Sequence, residues 1–499
     1  MRLSEVLAGT GIEISGANGS VDITGLSQDS RTVKKGELFF AVPGTKTDGA
    51  QYVGDAIRAG AAAVVGEKLG KLSVPSFSTD SVRKTLALSA ANFYKHPARE
   101  LVLLGVTGTN GKTTTTHLLE AMCSAGGGNT GLLGTIHYKF AGNVHTAAHT
   151  TPDAISLHKL FREMVDAGTD TVIMEVSSHA LMQERVHGLT FRAVGFTNLT
   201  RDHLDYHKDL EDYFQAKRKL FSELLSPGGV GVVNGDDTNA VRLYSELRGQ
   251  KRMAWKFSRL GNGEVSATNV EYSLSGIKGT LKTPAGDIPL KSQLLGPHNL
   301  ENILAAAGLA LGAGFSRRDV QDGIERVKGI PGRMEQVEAK GLTAVVDYAH
   351  TDDALKRSLE AARTLTKGRV IVVFGCGGDR DVGKRPLMGQ VAAEGADLTI
   401  LTSDNPRGED PEAILGQISP GLEKGGARRI SAGKAKAGEN GYLVEADRRA
   451  AITLAASLAK PGDLIVIAGK GHETYQEAKG ERAPFDDREE AAKALGAAG

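Results

Sequence analysis

A chain of 499 residues exceeds what one ordinary hydrophobic core organises, so two to four domains are expected. Hydrophobic residues at 40% and charged residues at 24% fit a globular enzyme, while 60 basic against 59 acidic side chains, with no long basic run, exclude a nucleic-acid surface. The two cysteines, Cys123 and Cys376, stand far apart and exclude a disulfide framework or a structural zinc site. The start "MRLSEVLAGTGIEI" has no apolar signal region and no run of 18 apolar residues occurs, so no membrane insertion and a cytoplasmic location are expected.

Residues 1–97 read as a first block: "GELFFAVPG" is a strand, "AQYVGDAIRAGAAAVVG" a helix running into a strand, and "HPARE" a linker. A second block, 98–330, opens on the buried strand "LVLLGV" and alternates helices with strands through "TDTVIMEVSS", "FRAVGFTNLT" and "GVGVVNGDD". Such alternation predicts a mostly parallel sheet covered on both faces. Residues 264–295 switch to short alternating runs, an antiparallel excursion, before the helix "NLENILAAAGLALGAG". In the third block, 331–499, "LTAVVDYAH", "RVIVVFGCGGD", "DLTILTSDN" and "DLIVIAGKGHE" read as four strands of a second open parallel sheet. The fold class is thus α/β in three domains. Ligands of open parallel sheets bind beyond the carboxyl ends of the strands, where each of these runs ends in polar residues.

"LVLLGVTGTNGKTTTTHLL" carries the strongest chemistry. A strand enters a glycine-rich turn and Lys112 and Thr113 open a helix. Gly108 and Gly111 let backbone amides converge on phosphate oxygens, Lys112 offsets β/γ-phosphate charge, and the Thr113 hydroxyl can reach Mg²⁺. The strict G-x-x-x-x-G-K-T pattern fails because Val106 occupies its first glycine. The loop alone does not separate a kinase, a motor or transport ATPase, and a ligase.

Two further positions have two readings each. Glu175 ends a buried strand of the same sheet, either as a plain acidic terminus or as a carboxylate within reach of a phosphate-bound Mg²⁺. Another strand end, "NLTRDHLDYH", concentrates Asp202, His203, Asp205 and His207. On a helix predicted over 211–225, Phe214, Phe221, Leu224 and Leu225 form an apolar stripe that includes Lys217, with Lys219 pointing away. Lys217 either extends its ammonium to water or is desolvated, partly neutral and chemically active.

In "LTILTSDNPRGEDPEAILGQI", Asp410 before Pro411 suits a helix cap, and Pro406 keeps Asn405 from helical geometry. Asp404, Asn405 and Arg407 are therefore not needed to start the helix, and they lie where a ligand would sit.

Together "DSRTVKKGELFFAVPG", "GTNGKTTTT", "EVSSHALMQERV", "NLTRDHLDYH", "AKRKLF", "GPHNLENILAA", "GRME", "DYAHTDDAL", "FGCGGDRDVGKRP", "SDNPR" and "GKGHE" resemble the Mur ligases, ATP-dependent amide ligases of bacterial peptidoglycan precursor synthesis, over essentially the whole chain. The resemblance implies an N-terminal UDP-sugar-binding domain, a central ATPase and a C-terminal Rossmann-like domain, in a cytoplasmic monomer serving cell-wall biogenesis and, through it, cell shape and division. It implies ATP contacts from Gly108, Thr109, Asn110, Gly111, Lys112, Thr113 and Thr114, with Asn302, Asp347 and His350. Ser30, Thr45, Lys46, Thr47, His149, Thr150, Thr151, Ser177, Gln183 and Arg185 would bind the UDP substrate, His149 standing where close members often carry asparagine. Thr113, Glu175 and His203 would ligate Mg²⁺, and Lys217 would react with CO₂ to give an anionic carbamate near a second Mg²⁺. The catalytic set would be Lys112, Glu175, His203 and Lys217. An intact "DNPR" points to members that add meso-2,6-diaminopimelate to UDP-MurNAc-L-Ala-D-Glu, with Arg380, Asp404, Asn405, Pro406, Arg407, Gly469 and Glu473 forming the amino-acid site. Alternatives are an L-lysine-adding ligase, a folylpolyglutamate synthase-like ligase, and a P-loop ATPase without ligase activity.

Overall fold

Runs of Val, Ile, Leu and Phe build three parallel-rich sheets in the computed structural model, which describes residues 1–44 and 48–497. Thr45, Lys46 and Thr47, expected at the UDP substrate, lie outside the described residues. The first sheet orders Gly25–Ser27, Glu37–Phe40, Ala63–Gly66 and Ser76–Ser78, all parallel. Its strands are apolar on both faces: Phe39 and Val64 pack with Val53 and Ala56, whereas Leu38, Phe40 and Val65 pack with Val82 and Leu86.

The central sheet has eight strands in the order Met253–Phe257, Leu225–Asn234, Phe191–Phe196, Val102–Thr107, Thr171–Glu175, Thr130–Leu133, His137–Phe140, Asn143–Thr146. The first six are parallel and the last two antiparallel. Separate cores fill its two faces, one containing Leu103, Val172, Phe196 and Phe221, the other Leu104, Val106, Ile173 and Leu304. The antiparallel excursion is a three-stranded sheet, Ser266–Ser273, Gly276–Lys282 and Ile288–Ser292.

The third sheet orders Glu335–Ala339, Leu342–Asp347, Leu464–Ala468, Val370–Phe374, Leu398–Leu401 and Gly441–Val444. It contains the four expected strands and two more: the antiparallel edge Glu335–Ala339 and the parallel edge Gly441–Val444. Both were obscured by polar or glycine-rich edge sequence. A hairpin, Tyr475–Ala478 with Glu481–Pro484, follows.

The helix expected over 211–225 spans Leu210–Ser222 instead, and Leu225 begins a strand. Leu225 is taken into the central sheet, where it pairs with Phe191, so the chain leaves the helix before it. Phe214, Lys217 and Phe221 remain on the buried face. Among the described residues, no helix is long and apolar enough to cross a membrane.

Candidate active site

Adjacent strands bring the central site together. Val106 pairs with Glu175 and Thr107 with Phe196, so the glycine-rich loop, Glu175 and the 197–203 segment leave neighbouring strand ends. Helix Lys112–Ala125 starts directly from the loop. Gly108 has φ +145° and a Cβ there would lie 1.9 Å from Thr197 Oγ1; Gly111 has φ +86° and its Cβ would lie 2.3 Å from Asn302 Oδ1. Only glycine fits either place. Asn198 fixes the loop by accepting from the Asn110 amide at 2.9 Å, while Thr197 Oγ1 donates to the Asn110 carbonyl at 2.6 Å.

Lys112 Nζ donates to the carbonyls of Gly108 and Thr109 at 3.0 and 2.9 Å. Lys217 is 1% exposed, donates from Nζ to the same Gly108 carbonyl at 2.8 Å, and lies 4.2 Å above the Tyr213 ring centre. Burial, reinforced by the Lys112 cation and opposed by Asp202, holds its amine well below the ordinary lysine range. The solvent-extended reading of Lys217 is thereby replaced by the desolvated one. Lys217 does not line the cavity in front of the loop; it sits behind Gly108.

Glu175 is fully buried and accepts from the Thr135 amide and hydroxyl at 2.8 and 3.0 Å. Thr135 also contacts Thr150 Oγ1 at 3.0 Å, and Thr151 Oγ1 donates to the Glu175 carbonyl at 2.8 Å. The Ser177 amide donates to Thr151 Oγ1 at 3.0 Å, and Arg185 Nη1 to the Thr151 carbonyl at 2.7 Å. Gln183 Oε1 accepts from Arg185 Nη2 at 2.8 Å. Thr150, Thr151, Ser177, Gln183 and Arg185 thus form one network ending at Glu175. His149 is exposed beside it, its carbonyl accepting from Tyr138 Oη at 2.5 Å. Ser30, half-buried in the N-terminal "DSR" turn, lines none of the cavities described below. Sequence reasoning missed Thr135, the residue that orients Glu175; nothing in its local pattern marks it.

The loop carrying Asp202 and His203 completes the front. His203 has φ +55°, its side chain is 43% exposed, its amide donates to Asp202 Oδ1 at 2.8 Å, and partial desolvation in the cleft lowers its imidazole against the opposing Asp202 charge. The third domain closes the other side. Arg333 of "GRME" donates from Nη2 to Thr113 Oγ1 at 3.1 Å and stacks on Tyr348 at 4.6 Å. Asn110 Nδ2 donates to Asp353 Oδ2 at 2.9 Å. Asp347 is spent within its own domain, accepting from Met334 N, Ala349 N and Ser358 Oγ, and His350 donates from Nδ1 to the Tyr348 carbonyl. A cavity of about 220 Å³ lies between these parts, lined by Lys112, Thr113, Glu175, His203, Asn302, Asp347 and His350 among others. Its hydroxyl and carboxylate oxygens suit Mg²⁺. Among the described residues no three His, Cys, Asp or Glu side chains form a self-sufficient metal cage. Mg²⁺ does not require one, since it keeps waters and leans on substrate phosphates.

A second cavity, about 540 Å³, adjoins this one and shares Asp202, His203, Tyr348 and His350 with it. Arg380, Asp404, Asn405, Arg407, Gly469 and Glu473 all line it. Pro406 does not; its carbonyl backs onto Gly378. Arg407 adopts φ +52°, with its amide donating to the Glu477 carbonyl and its own carbonyl accepting from Lys479 N. The hairpin therefore grips both its peptide groups, and Nη1 donates to the Gly378 carbonyl at 2.8 Å. Asp410 caps helix Pro411–Lys424 by accepting from Glu412 N, which leaves Asp404, Asn405 and Arg407 to the cavity.

This pairing of a phosphate-loop cavity with a charged cavity on a second sheet defines an ATP-using, two-substrate enzyme, and comparison with known proteins gives its class. Residues 22–104 match the Mur ligase family, catalytic domain; residues 106–310 the Mur ligase middle domain; and residues 332–471 the Mur ligase, glutamate ligase domain. The chain belongs to the Mur ligase family, whose members are ATP-dependent, ADP-forming amide ligases. Within that family it is similar to the UDP-N-acetylmuramoyl-L-alanyl-D-glutamate–2,6-diaminopimelate ligase of Gloeobacter violaceus, with 46% identity across 99% of this chain and 98% of the relative. The ligase of the same name from Geobacter metallireducens is 44% identical over the same shares. A solved structure of a UDP-N-acetylmuramoyl-L-alanyl-D-glutamate–2,6-diaminopimelate ligase superposes with a TM-score of 0.71 at 34% identity, covering 100% of this chain and 99% of that one.

Proposed function

We propose that the chain joins meso-2,6-diaminopimelate to the D-glutamate γ-carboxylate of UDP-MurNAc-L-Ala-D-Glu, converting ATP to ADP and phosphate. The observation that carries this reading is Arg407, held by the hairpin and lining one cavity with Asp404 and Glu473. A diaminopimelate end presents an ammonium and a carboxylate together. The two acids suit the ammonium, and the planar guanidinium binds a carboxylate bidentately. L-Lysine would leave Arg407 unpaired, which disfavours it strongly.

The γ-phosphoryl of ATP would pass to the γ-carboxylate, giving an acyl phosphate that the amino acid's amine attacks. Loop amides and Lys112 would stabilise the transferring charge once Lys112 leaves the Gly108 and Thr109 carbonyls. Thr113, Glu175 and His203 would hold Mg²⁺, which when bound offsets phosphoryl charge. The Thr150–Arg185 network would seat the muramoyl dipeptide. Lys217, its amine held well below the ordinary lysine range and close to Lys112, is suited to add CO₂ and lose a proton, leaving a carbamate whose negative charge a cationic Lys112 would favour. Full-length similarity, including the N-terminal block, favours this reading over a folylpolyglutamate synthase-like ligase or a bare ATPase.

The test is phosphate release from ATP with the UDP-muramoyl dipeptide and either meso-diaminopimelate or L-lysine. Release should require the dipeptide and diaminopimelate together. Equal or better turnover with lysine overturns the specificity, and release without any amino acid overturns the ligase.

A further inference from the structure

Behind the amino-acid cavity sits a side chain that does not line it. Lys470 is fully buried, donating from Nζ to Asn405 Oδ1 at 2.9 Å and to Glu473 Oε2 at 3.2 Å. Both acceptor positions of Asn405 Oδ1 are filled, since it also accepts from the Glu477 amide at 3.0 Å, and Nδ2 donates to Glu473 Oε2 at 2.8 Å. Two loops and the start of the hairpin therefore meet at one buried ammonium. We infer that Lys470 is a positioning residue for amino-acid selection, clamping Asn405 and Glu473 into one bracket whose carboxylate receives the ammonium group of the incoming amino acid. The inference rests on the amino-acid site proposed above.

A lysine with no access to water is retained only when paired, and removing it leaves the partner anion uncompensated. Glu473 is faced by Lys470, Asp404, Arg448, Tyr348 and Tyr475. Burial pushes its carboxyl above the ordinary range; Lys470 opposes that shift and Asp404 adds to it. Arg380, Lys384 and Arg407 line the same cavity and Arg448 is committed to the buried Asp487 at 2.7 Å, whereas Lys470 is hydrogen-bonded to Glu473 and favours its ionised form. Without it, Glu473 reaches its charged form only at higher pH.

Full-length wild type, Lys470→Met, Lys470→Arg and Glu473→Gln would be compared by phosphate release, recording KM for diaminopimelate and for ATP and the pH profile of kcat/KM for diaminopimelate. Lys470→Met should raise the diaminopimelate KM by roughly 10- to 100-fold with the ATP KM within about threefold, and should move the acid limb upward by about one pH unit or more. Lys470→Arg should keep the limb in place, and Glu473→Gln should abolish it. Parallel losses for both substrates with an unmoved limb reduce Lys470 to a packing residue and overturn the inference. So does a Glu473→Gln variant with normal diaminopimelate KM, a result that does not depend on Lys470→Met folding. Active wild type with indifferent variants overturns only the role of Lys470, whereas wild type inactive with both diaminopimelate and lysine overturns the proposed function and this inference with it.

Discussion

Arg407 and Lys217 show how single side chains acquire a role from what holds them. A non-glycine residue at φ +52° is strained, and here the hairpin carbonyl and amide on either side impose it. Nothing in helix capping needs that geometry, since Asp410 does the capping. Arg407→Ala should lower kcat/KM for diaminopimelate by about 10²–10³, the range for deleting one partner of a desolvated charge pair, and should shrink the preference over lysine. Steady-state phosphate release with both amino acids measures this, and an unchanged preference would remove Arg407 as selector. The position of Lys217 on an apolar stripe was readable from spacing, but its partner was not: Gly108 lies 109 residues away in sequence. Lys217→Ala should abolish most turnover, and a short carboxylate such as acetate should restore part of it if a carbamate anion is what is missing. Failure of every small carboxylate to rescue a folded variant would argue against the carbamate.

Elements were predictable where one physical signal dominated. Continuous Val/Ile/Leu runs marked central strands, and the glycine-rich turn before Lys112 marked a phosphate loop. Edge strands such as Glu335–Ala339 and Gly441–Val444 lack that signal: the first has no buried residue and reads as polar, and the second is only four residues long and opens on glycine. The hairpin that holds Arg407 is polar and half-exposed, so its importance appears only in three dimensions. Helix Leu210–Ser222 is fastened to the segment bearing Gln183 and Arg185 by an ion pair, Lys219 Nζ to Glu184 Oε1 at 2.5 Å, with His187 on the other carboxylate oxygen at 3.5 Å. Burial raises the Glu184 carboxyl, but His187 and Lys219 outweigh it and hold it at about 2, below the ordinary glutamate value of 4.5. A depressed carboxyl contributes stability that is complete above pH 4.5 and is lost as pH falls towards 2. Glu184→Gln should therefore cost about 1–3 kcal/mol near neutral pH, with the Tm gap to wild type narrowing below pH 4.5. A gap that stays constant with pH would show that the pair contributes through packing alone.

At the scale of the whole molecule, the two surfaces proposed to act in catalysis belong to different sheets and meet across the cavity in front of the glycine-rich loop. Arg333 touches Thr113, Asp353 accepts from Asn110, and Arg201 approaches Asp381 at 3.5 Å. That cavity, about 220 Å³, lies below the roughly 300–1,000 Å³ usual for ligand sites. Lys112 meanwhile folds onto loop carbonyls where phosphates would be cradled. We predict from this that nucleotide enters while the second and third domains stand further apart, and that the amine meets the acyl phosphate after they return. With ATP on one face of the gap and the amino acid on the other, as proposed, both would bias the closed arrangement, the linkage expected of a hinge that assembles its site on binding. Small-angle scattering should show a smaller radius of gyration with a non-hydrolysable ATP analogue, Mg²⁺ and both substrates than for the free chain. Asp353→Ala, which removes the acceptor for Asn110, should weaken that compaction while leaving the free chain's radius unchanged. An identical radius for free and fully liganded protein would mean that the nucleotide enters by local loop movement, and closure would then have no part in the reaction.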